Sequence, residues 1–409
     1  MSLDKSSIAR HSTAEQDTSS LRAWGARIAL IVFGSVLGLA LAWLLLPLVL
    51  SRFGIYQGTI ARTADLDMGV VQYRVGNGDI FFAQRGSIRP PENPDQVLST
   101  HRLAWDADGF RILGVARDTY DVVALGDSYT EATNVAAPWT RVLATETGLT
   151  VRNLGYRGYG PQESVRVMTE HGVQYDPDIV ILGFFSGNDV SNAGTYDDRR
   201  EDNFSLPAVT QGGISWSLDF VQGLRPRESY PYPVTLNLAS GSEPIAFFNP
   251  YITALTLTAD DLRQSTNYRR LRQGWQQLQQ TSPSACVVIA YFPSKPEIYL
   301  PYVDPAAYER MYNNPRRFSL ATANTELQIV EDDAVTIPSI LASPHETRDV
   351  IQQSADEMGI QFIDLVPAFE QAAADGELLY YRYDTHPNQR GHDLAGRVIA
   401  EQLESGLCD

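Results

Sequence analysis

The stretch Val122-Val123-Ala124-Leu125-Gly126-Asp127-Ser128-Tyr129-Thr130 decides the fold. Its apolar, β-branched opening reads as a buried strand, and that strand stops at a Gly-Asp-Ser turn. Helical spacing returns over 138–148, so Ser128 falls just past the carboxyl end of a strand. In an open α/β sheet that edge is where ligands bind. A serine placed there is either a nucleophile or a turn cap, because Ser and Asp are favoured in turns for local reasons.

Outward from this stretch, strands and helices alternate. Strands are expected over 120–127, 150–155, 178–185, 286–292 and 361–365, with helices near 138–148, 161–173, 346–358, 366–374 and 391–404. That alternation implies a parallel sheet covered on both faces. Long stretches rich in Pro, Gly and aromatics, 191–254 and 299–344, read as inserts or lids, with helical potential around 305–312. Residues 51–119 read as a lead-in subdomain with strand-like alternation over 68–82 and a hairpin turn at 106–111.

The formal net charge of −17 argues against nucleic acid, which needs a basic surface, and is read as solubility. Two cysteines form neither a metal-ligand pattern nor a disulfide framework. Cys286 reads as a core residue, and nothing in the pattern supports a bridge to Cys408. No cofactor or metal is implied. Residues 1–27 are polar and read as a cytoplasmic tail. The charge-free run 28–50, about 23 residues, is long enough to span a bilayer as a helix. Lys5, Arg10, Arg22 and Arg27 precede it, which sets the amino terminus inside and the bulk of the chain outside. A cleaved signal peptide has a shorter apolar core and a small-residue cleavage site, so an uncleaved anchor fits better.

Three more segments fall at strand ends: Asn153-Leu154-Gly155-Tyr156-Arg157-Gly158, Gly183-Phe184-Phe185-Ser186-Gly187-Asn188-Asp189, and Tyr383-Asp384-Thr385-His386-Pro387-Asn388. Taken together they meet a physical specification for acyl transfer. That chemistry needs a hydroxyl nucleophile, a base for its proton and a carboxylate to orient the base, which Ser128, His386 and Asp384 supply. It also needs donors aimed at the developing oxyanion, here the backbone N–H groups of Ser128 and Gly158 and the Asn188 amide. Asp127 and Asp189 are expected to brace their turns. Tyr291, Tyr299, Tyr302, Tyr380, Tyr381 and Tyr383 are either sugar-stacking faces or core residues. Lys295 ends another strand and either reaches the cleft or, the better fit, is a solvated loop residue.

Gly126-Asp127-Ser128, Gly158, Gly187-Asn188-Asp189 and Asp384-Thr385-His386 resemble, in order, the four sequence blocks of the SGNH (GDSL-type) hydrolase superfamily. The resemblance covers about residues 120–404. It implies a flavodoxin-like three-layer α/β/α sandwich, preceded here by one transmembrane helix, with a Ser nucleophile, Gly and Asn oxyanion donors and a His base. The Asp two residues before His, with Leu379-Tyr380-Tyr381 ahead of it, also resembles the branch of alginate O-acetyltransferase-like proteins.

The expected organisation is a tail (1–27), an anchor (28–50), the lead-in (51–119) and a catalytic domain (120–409). The expected activity is that of a membrane-anchored serine esterase facing the bacterial periplasm or exterior. It would remove short acyl groups, such as acetyl, from a cell-envelope or exported glycan. Two alternatives stand beside it: an O-acyltransferase with the same triad, served by an acyl-donor membrane partner, and a non-catalytic glycan-binding or assembly protein.

Overall fold

The computed structural model describes residues 106, 110–132, 134–193, 234–382 and 385–408, the stretch 26–42 with residues 24 and 45, and the strands 78–82 and 99–103. The chain falls into two compact units, one of 1–61 with 204–224 and one of 62–203 with 225–409. In the first, residues 26–42 are helical. Among the described residues no helix is long and apolar enough to cross a membrane. Residues 43, 44 and 46–50 of the expected span lie outside the described residues.

In the second unit, five parallel strands form one sheet: β1 (Val122–Gly126), β2 (Val151–Asn153), β3 (Ile179–Phe185), β4 (Cys286–Phe292) and β5 (Gln361–Asp364). Their spatial order is β5-β4-β3-β1-β2, with β1 pairing in register from Val122 to Ile179 through Gly126 to Gly183. This is the flavodoxin-like order, in which the connections reverse direction between β1 and β3. All five residues of β1 are buried, as an unbroken apolar run in a two-sided sheet requires.

The crossover helices are α2 (Trp139–Thr147) and α3 (Pro161–Val167), which right-handed connections place on opposite faces of the sheet. Helix α4 (Thr266–Thr281) packs against α3, and α8 (Gln389–Glu404) packs against α2. Helices α6 (Glu346–Met358) and α7 (Val366–Ala374) flank β5.

Most expected elements appear within a few residues of their expected bounds, including β4, α6 and α7 at the same residues. Helix α4 falls between the strands expected at 178–185 and 286–292, where no helix was expected. Its apolar residues are sparse, but Leu271, Trp275 and Leu278 recur on one buried stripe, and Ser265 caps it by accepting the Tyr268 N–H. The inserts also hold structure: antiparallel hairpins pair Val234–Leu238 with Gly241–Ile245 and Arg316–Ser319 with Gln328–Glu331. Residues 194–233 lie outside the described residues. In the lead-in, Gly78–Phe82 pairs antiparallel with Ser99–Leu103.

Cys286 and Cys408 form a disulfide, where the sequence pattern supported none. It ties the tail beyond α8 to the start of β4 across 122 residues of sequence. A crosslink over so long a loop typically contributes about 2–4 kcal/mol. Cys408→Ser is therefore expected to lower Tm, and reductant should lower the wild-type Tm while leaving the variant's unchanged. Thermal melts with and without dithiothreitol check this.

Candidate active site

The turn after β1 is built by close approach. Gly126, at φ +143°, lies beside Gly183 of β3, and a Cβ at either would come within 2.6 Å of the Thr130 hydroxyl oxygen. The two glycines thus form a seat for Thr130, which sits in the four-residue helix α1 (Ser128–Glu131). Asp127 caps α1, its Oδ1 accepting the Tyr129 N–H at 2.8 Å. At the other end the buried Arg111 guanidinium donates to the carbonyls of Glu131, Ala132, Val135 and Ala136. Burial lowers its pKa to about 10, which leaves it a cation at neutral pH.

His386 comes from the loop before α8, and its Nε2 lies 2.9 Å from Ser128 Oγ. The loop is fixed from several sides. Tyr129 donates its hydroxyl to the Thr385 carbonyl at 2.9 Å, and Asn134 donates to the Pro387 carbonyl at 3.1 Å. Asn388 accepts the Arg390 and Gly391 N–H groups to cap α8, while its amide donates to the Leu378 carbonyl at 2.7 Å. Asp384 and Tyr383 lie outside the described residues.

Lys295 corrects the sequence reading. It is 1% exposed, not solvated, and its Nζ donates to the carbonyls of Tyr381 (3.0 Å) and Arg382 (3.1 Å), the residues leading into the His386 loop. Tyr291, Tyr299 and Tyr380 are core residues, with the Tyr380 hydroxyl donating to the Pro293 carbonyl at 2.7 Å.

Gly158 follows β2 and takes φ +77°, the left-handed region that favours glycine. Its loop is hooked to α1: the Glu131 carboxylate accepts the Arg157 backbone N–H at 3.0 Å and its guanidinium at 2.9 and 2.8 Å. Asn188 lies in the turn after β3, and its side chain helps hold the Asp127 carboxylate ionised. Asp189 Oδ2 braces the same turn by accepting the Phe185 N–H at 2.9 Å. The structure therefore gathers Ser128, His386, Asp127, Asn188 and Asp189 at the ends of β1 and β3, with Gly158 on the neighbouring loop.

No role was expected from sequence for Arg111, Glu131, Arg157 or Glu297. For Glu297 the signal was present, because Ser294-Lys295-Pro296-Glu297 is a helix-capping box. Among the described residues no cluster of His, Cys, Asp or Glu is arranged to hold a metal ion.

Two buried acids accompany Ser128. Burial pushes Asp127 up to about 6, opposed by the Tyr129 N–H, the charge of His386 and the Asn188 amide. Burial also raises Asp189 well above the usual carboxylate value, and the Asp127 charge adds to the effect. His392, buried beneath the loop, is lowered to about 3 by burial and by the Arg111 and His386 charges, so it is neutral and accepts the Trp139 N–H at 3.3 Å. A hydroxyl hydrogen-bonded to an imidazole nitrogen is the ground-state geometry for general-base activation of a nucleophile.

The model of the GDSL-like lipase/acylhydrolase family matches residues 124–394, more than half of the chain. No curated protein matches it. Solved structures similar to it include a lipolytic G-D-S-L family member from Veillonella parvula, at 12% identity over 68% of this chain and 96% of that one, TM-score 0.33. A mutant acetyl-xylooligosaccharide esterase from Geobacillus Stearmophilus matches at 14% identity over 70% and 95%, TM-score 0.36. An extracellular lipase from Streptomyces rimosus matches at 17% identity over 70% and 99%, TM-score 0.33.

The raised pKa of Asp127 has a sign that can be measured. The folded state holds this proton more tightly than the unfolded chain, whose carboxyl titrates near 3.8. Its contribution to stability is full below that value and is lost as pH rises through about 6. Asp127→Asn keeps the Oδ1 acceptor for Tyr129 but carries no charge to bury. Its Tm is expected to exceed the wild type's at about pH 8, with the gap closing towards pH 4. A variant that melts lower at the higher pH would show that the ionised carboxylate is stabilised where it sits.

Proposed function

The chain belongs to the GDSL-like lipase/acylhydrolase family, and we propose that it is a membrane-anchored, extracytoplasmic serine esterase that removes short acyl groups from an envelope or exported glycan. The observation that carries the chemistry is the 2.9 Å contact between Ser128 Oγ and His386 Nε2 at the carboxyl edge of the sheet.

In this reading His386 takes the hydroxyl proton as Ser128 attacks the ester carbonyl. Asp384 orients the imidazole and offsets its transient charge. The oxyanion is met by the N–H groups of Ser128 and Gly158 and by the Asn188 amide, each such donor being worth about 3–4 kcal/mol in the transition state. His386 then protonates the leaving alcohol. The acyl group remains on Ser128 until a water, activated by the same imidazole, releases it.

Three features support the location. The helix over 26–42 exposes Ile28, Leu30, Ile31, Phe33 and Leu39. Basic residues precede it, as the positive-inside rule expects for a cytoplasmic amino terminus. The Cys286–Cys408 disulfide suits an oxidising compartment. An anchored enzyme outside the inner membrane stands beside envelope polysaccharide, which motivates the glycan substrate.

One observation favours acyl transfer to a sugar hydroxyl as a second reading. The insert hairpin reaches the His386 loop: Glu243 pairs with Arg382 at 2.7 Å, and the Ala246 N–H donates to the Arg382 carbonyl at 2.9 Å. A covered acyl-enzyme that excludes water would pass its acyl group to a bound alcohol.

The test uses the full chain in detergent with p-nitrophenyl acetate, with and without an oligosaccharide acceptor, following nitrophenol and acetylated sugar. Ser128→Ala is expected to lower nitrophenol release by roughly 10³-fold or more. Full activity in that variant removes Ser128 as nucleophile. Acceptor-dependent sugar acetylation selects transfer, and its absence with steady nitrophenol release selects hydrolysis.

A further inference from the structure

The segment after β4 forms a single helical turn, α5 (Lys295–Tyr299), capped by Ser294. Glu297 at its third position accepts the Ser294 N–H through Oε2 at 3.1 Å, as a capping box requires. A capping glutamate does that work equally well in solvent. This one is 2% exposed, and its carboxylate gathers three further partners. Ser186 donates its hydroxyl to Oε2 at 2.8 Å, Tyr291 donates to Oε1 at 3.4 Å, and His345 Nδ1 lies 3.2 Å from Oε1.

Burying a carboxylate is unfavourable unless donors surround it, so the cap alone does not account for the placement. Ser186 gives the reason. It begins the turn that carries Asn188, and its own N–H donates to the Phe292 carbonyl at 3.1 Å. The turn is therefore pinned twice, by its backbone to the end of β4 and by the Ser186 side chain to α5. Beyond it, the Asn188 N–H contact to the Phe185 carbonyl is long, at 3.5 Å. The Asn188 Oδ1 is buried with no hydrogen-bond partner among the described residues. Besides its interaction with the Asp127 carboxylate, the orientation of the Asn188 amide depends on where its turn is held. A change of about 1 Å in such a group is enough to lower a rate substantially.

We propose that Glu297 is a positioning residue for the reaction: through the Ser186 hydroxyl it fixes the turn that aims the Asn188 amide at the oxyanion. This rests on the hydrolase reading above. Glu297 touches no reacting atom in this scheme and acts through Asn188. His345 closes the network at the surface, bridging Glu297 to Glu370 at 3.0 Å.

The experiment is a double-mutant cycle in the full chain, with kcat and KM for p-nitrophenyl acetate as the readout. Glu297→Gln preserves shape, and Ser186→Ala removes the same link while leaving the carboxylate its Ser294, Tyr291 and His345 partners. Each is expected to lower kcat roughly tenfold, less than the 10²–10³ of losing an oxyanion donor outright. KM should change by less than about twofold, because the oxyanion forms only in the transition state. In an Asn188→Ala background neither substitution should lower kcat further. Effects that multiply with Asn188→Ala, or a lowered Tm with kcat intact, overturn the positioning role and leave the hydrolase reading standing. Wild-type protein without Ser128-dependent turnover removes the hydrolase reading, and the proposal with it.

Discussion

A helix of four residues cannot hold itself, since the first turn fixes three residues for a single hydrogen bond. Helix α1, which carries the candidate nucleophile, exists because the sheet receives it. Thr130 rests on paired glycines at the ends of β1 and β3, where any side chain would push it away. Gly155, on the loop after β2, approaches it as closely from another side. Arg111 occupies the carbonyls that the short helix leaves open, and Asp127 satisfies its first N–H groups. The position of Ser128 is thus a property of the sheet edge and its glycines. The His386 contact depends on that position in turn, because Tyr129 of the same helix holds the Thr385 carbonyl.

The charged groups around this edge share one arrangement. Arg111, Glu131, Lys295 and Glu297 are each at most 3% exposed; Arg111 closes the end of α1, and the other three each bond to a segment that carries or leads to a proposed catalytic group. Glu131 binds the loop of Gly158, Lys295 the chain leading to His386, and Glu297 the turn of Asn188. Buried ions are a poor way to gain stability, because desolvation offsets most of their attraction. They are a good way to fix geometry, since a charged donor or acceptor without water accepts few alternative positions. Lys295 and Glu297 belong to the same helical turn and face different loops, so α5 links the proposed base loop to the proposed oxyanion turn.

The sequence carried the sheet well. β4, α6 and α7 were legible because each is a local pattern: an apolar run, or a periodic helix bounded by its stop signals. Ser128, Gly158, Asn188 and His386 were legible as short motifs at strand ends. The contacts of Arg111, Arg157 and Lys295 were not, because the partners that hold them lie far off in sequence: the carbonyls after α1, Glu131, and the carbonyls of Tyr381 and Arg382. Glu131 illustrates the same limit, as its partner Arg157 lies 26 residues away on another loop. Helix α4 was missed for a different reason. Its glutamines and arginines dilute the apolar stripe, so the period shows only when positions 271, 275 and 278 are taken together.

The two buried aspartates follow from the same geometry. In the proposed reaction an imidazolium would form at His386, and a cation in a site partly shielded from water needs a fixed negative charge nearby. Asp127 feels the His386 charge and titrates at about 6, so it is mostly ionised at neutral pH. Asp189 feels the Asp127 charge in addition to its own burial, which moves it in the direction of the neutral acid. Two carboxylates in one dry pocket resist ionising together, and unequal surroundings separate their roles. Here the residue whose pKa the histidine lowers is the one that precedes the serine, while its partner braces the Phe185 N–H. Asp127 therefore adds a negative charge beside that of Asp384 in the proposed triad, from the same turn that places the hydroxyl, and the second acid limits how much charge the pocket must hold.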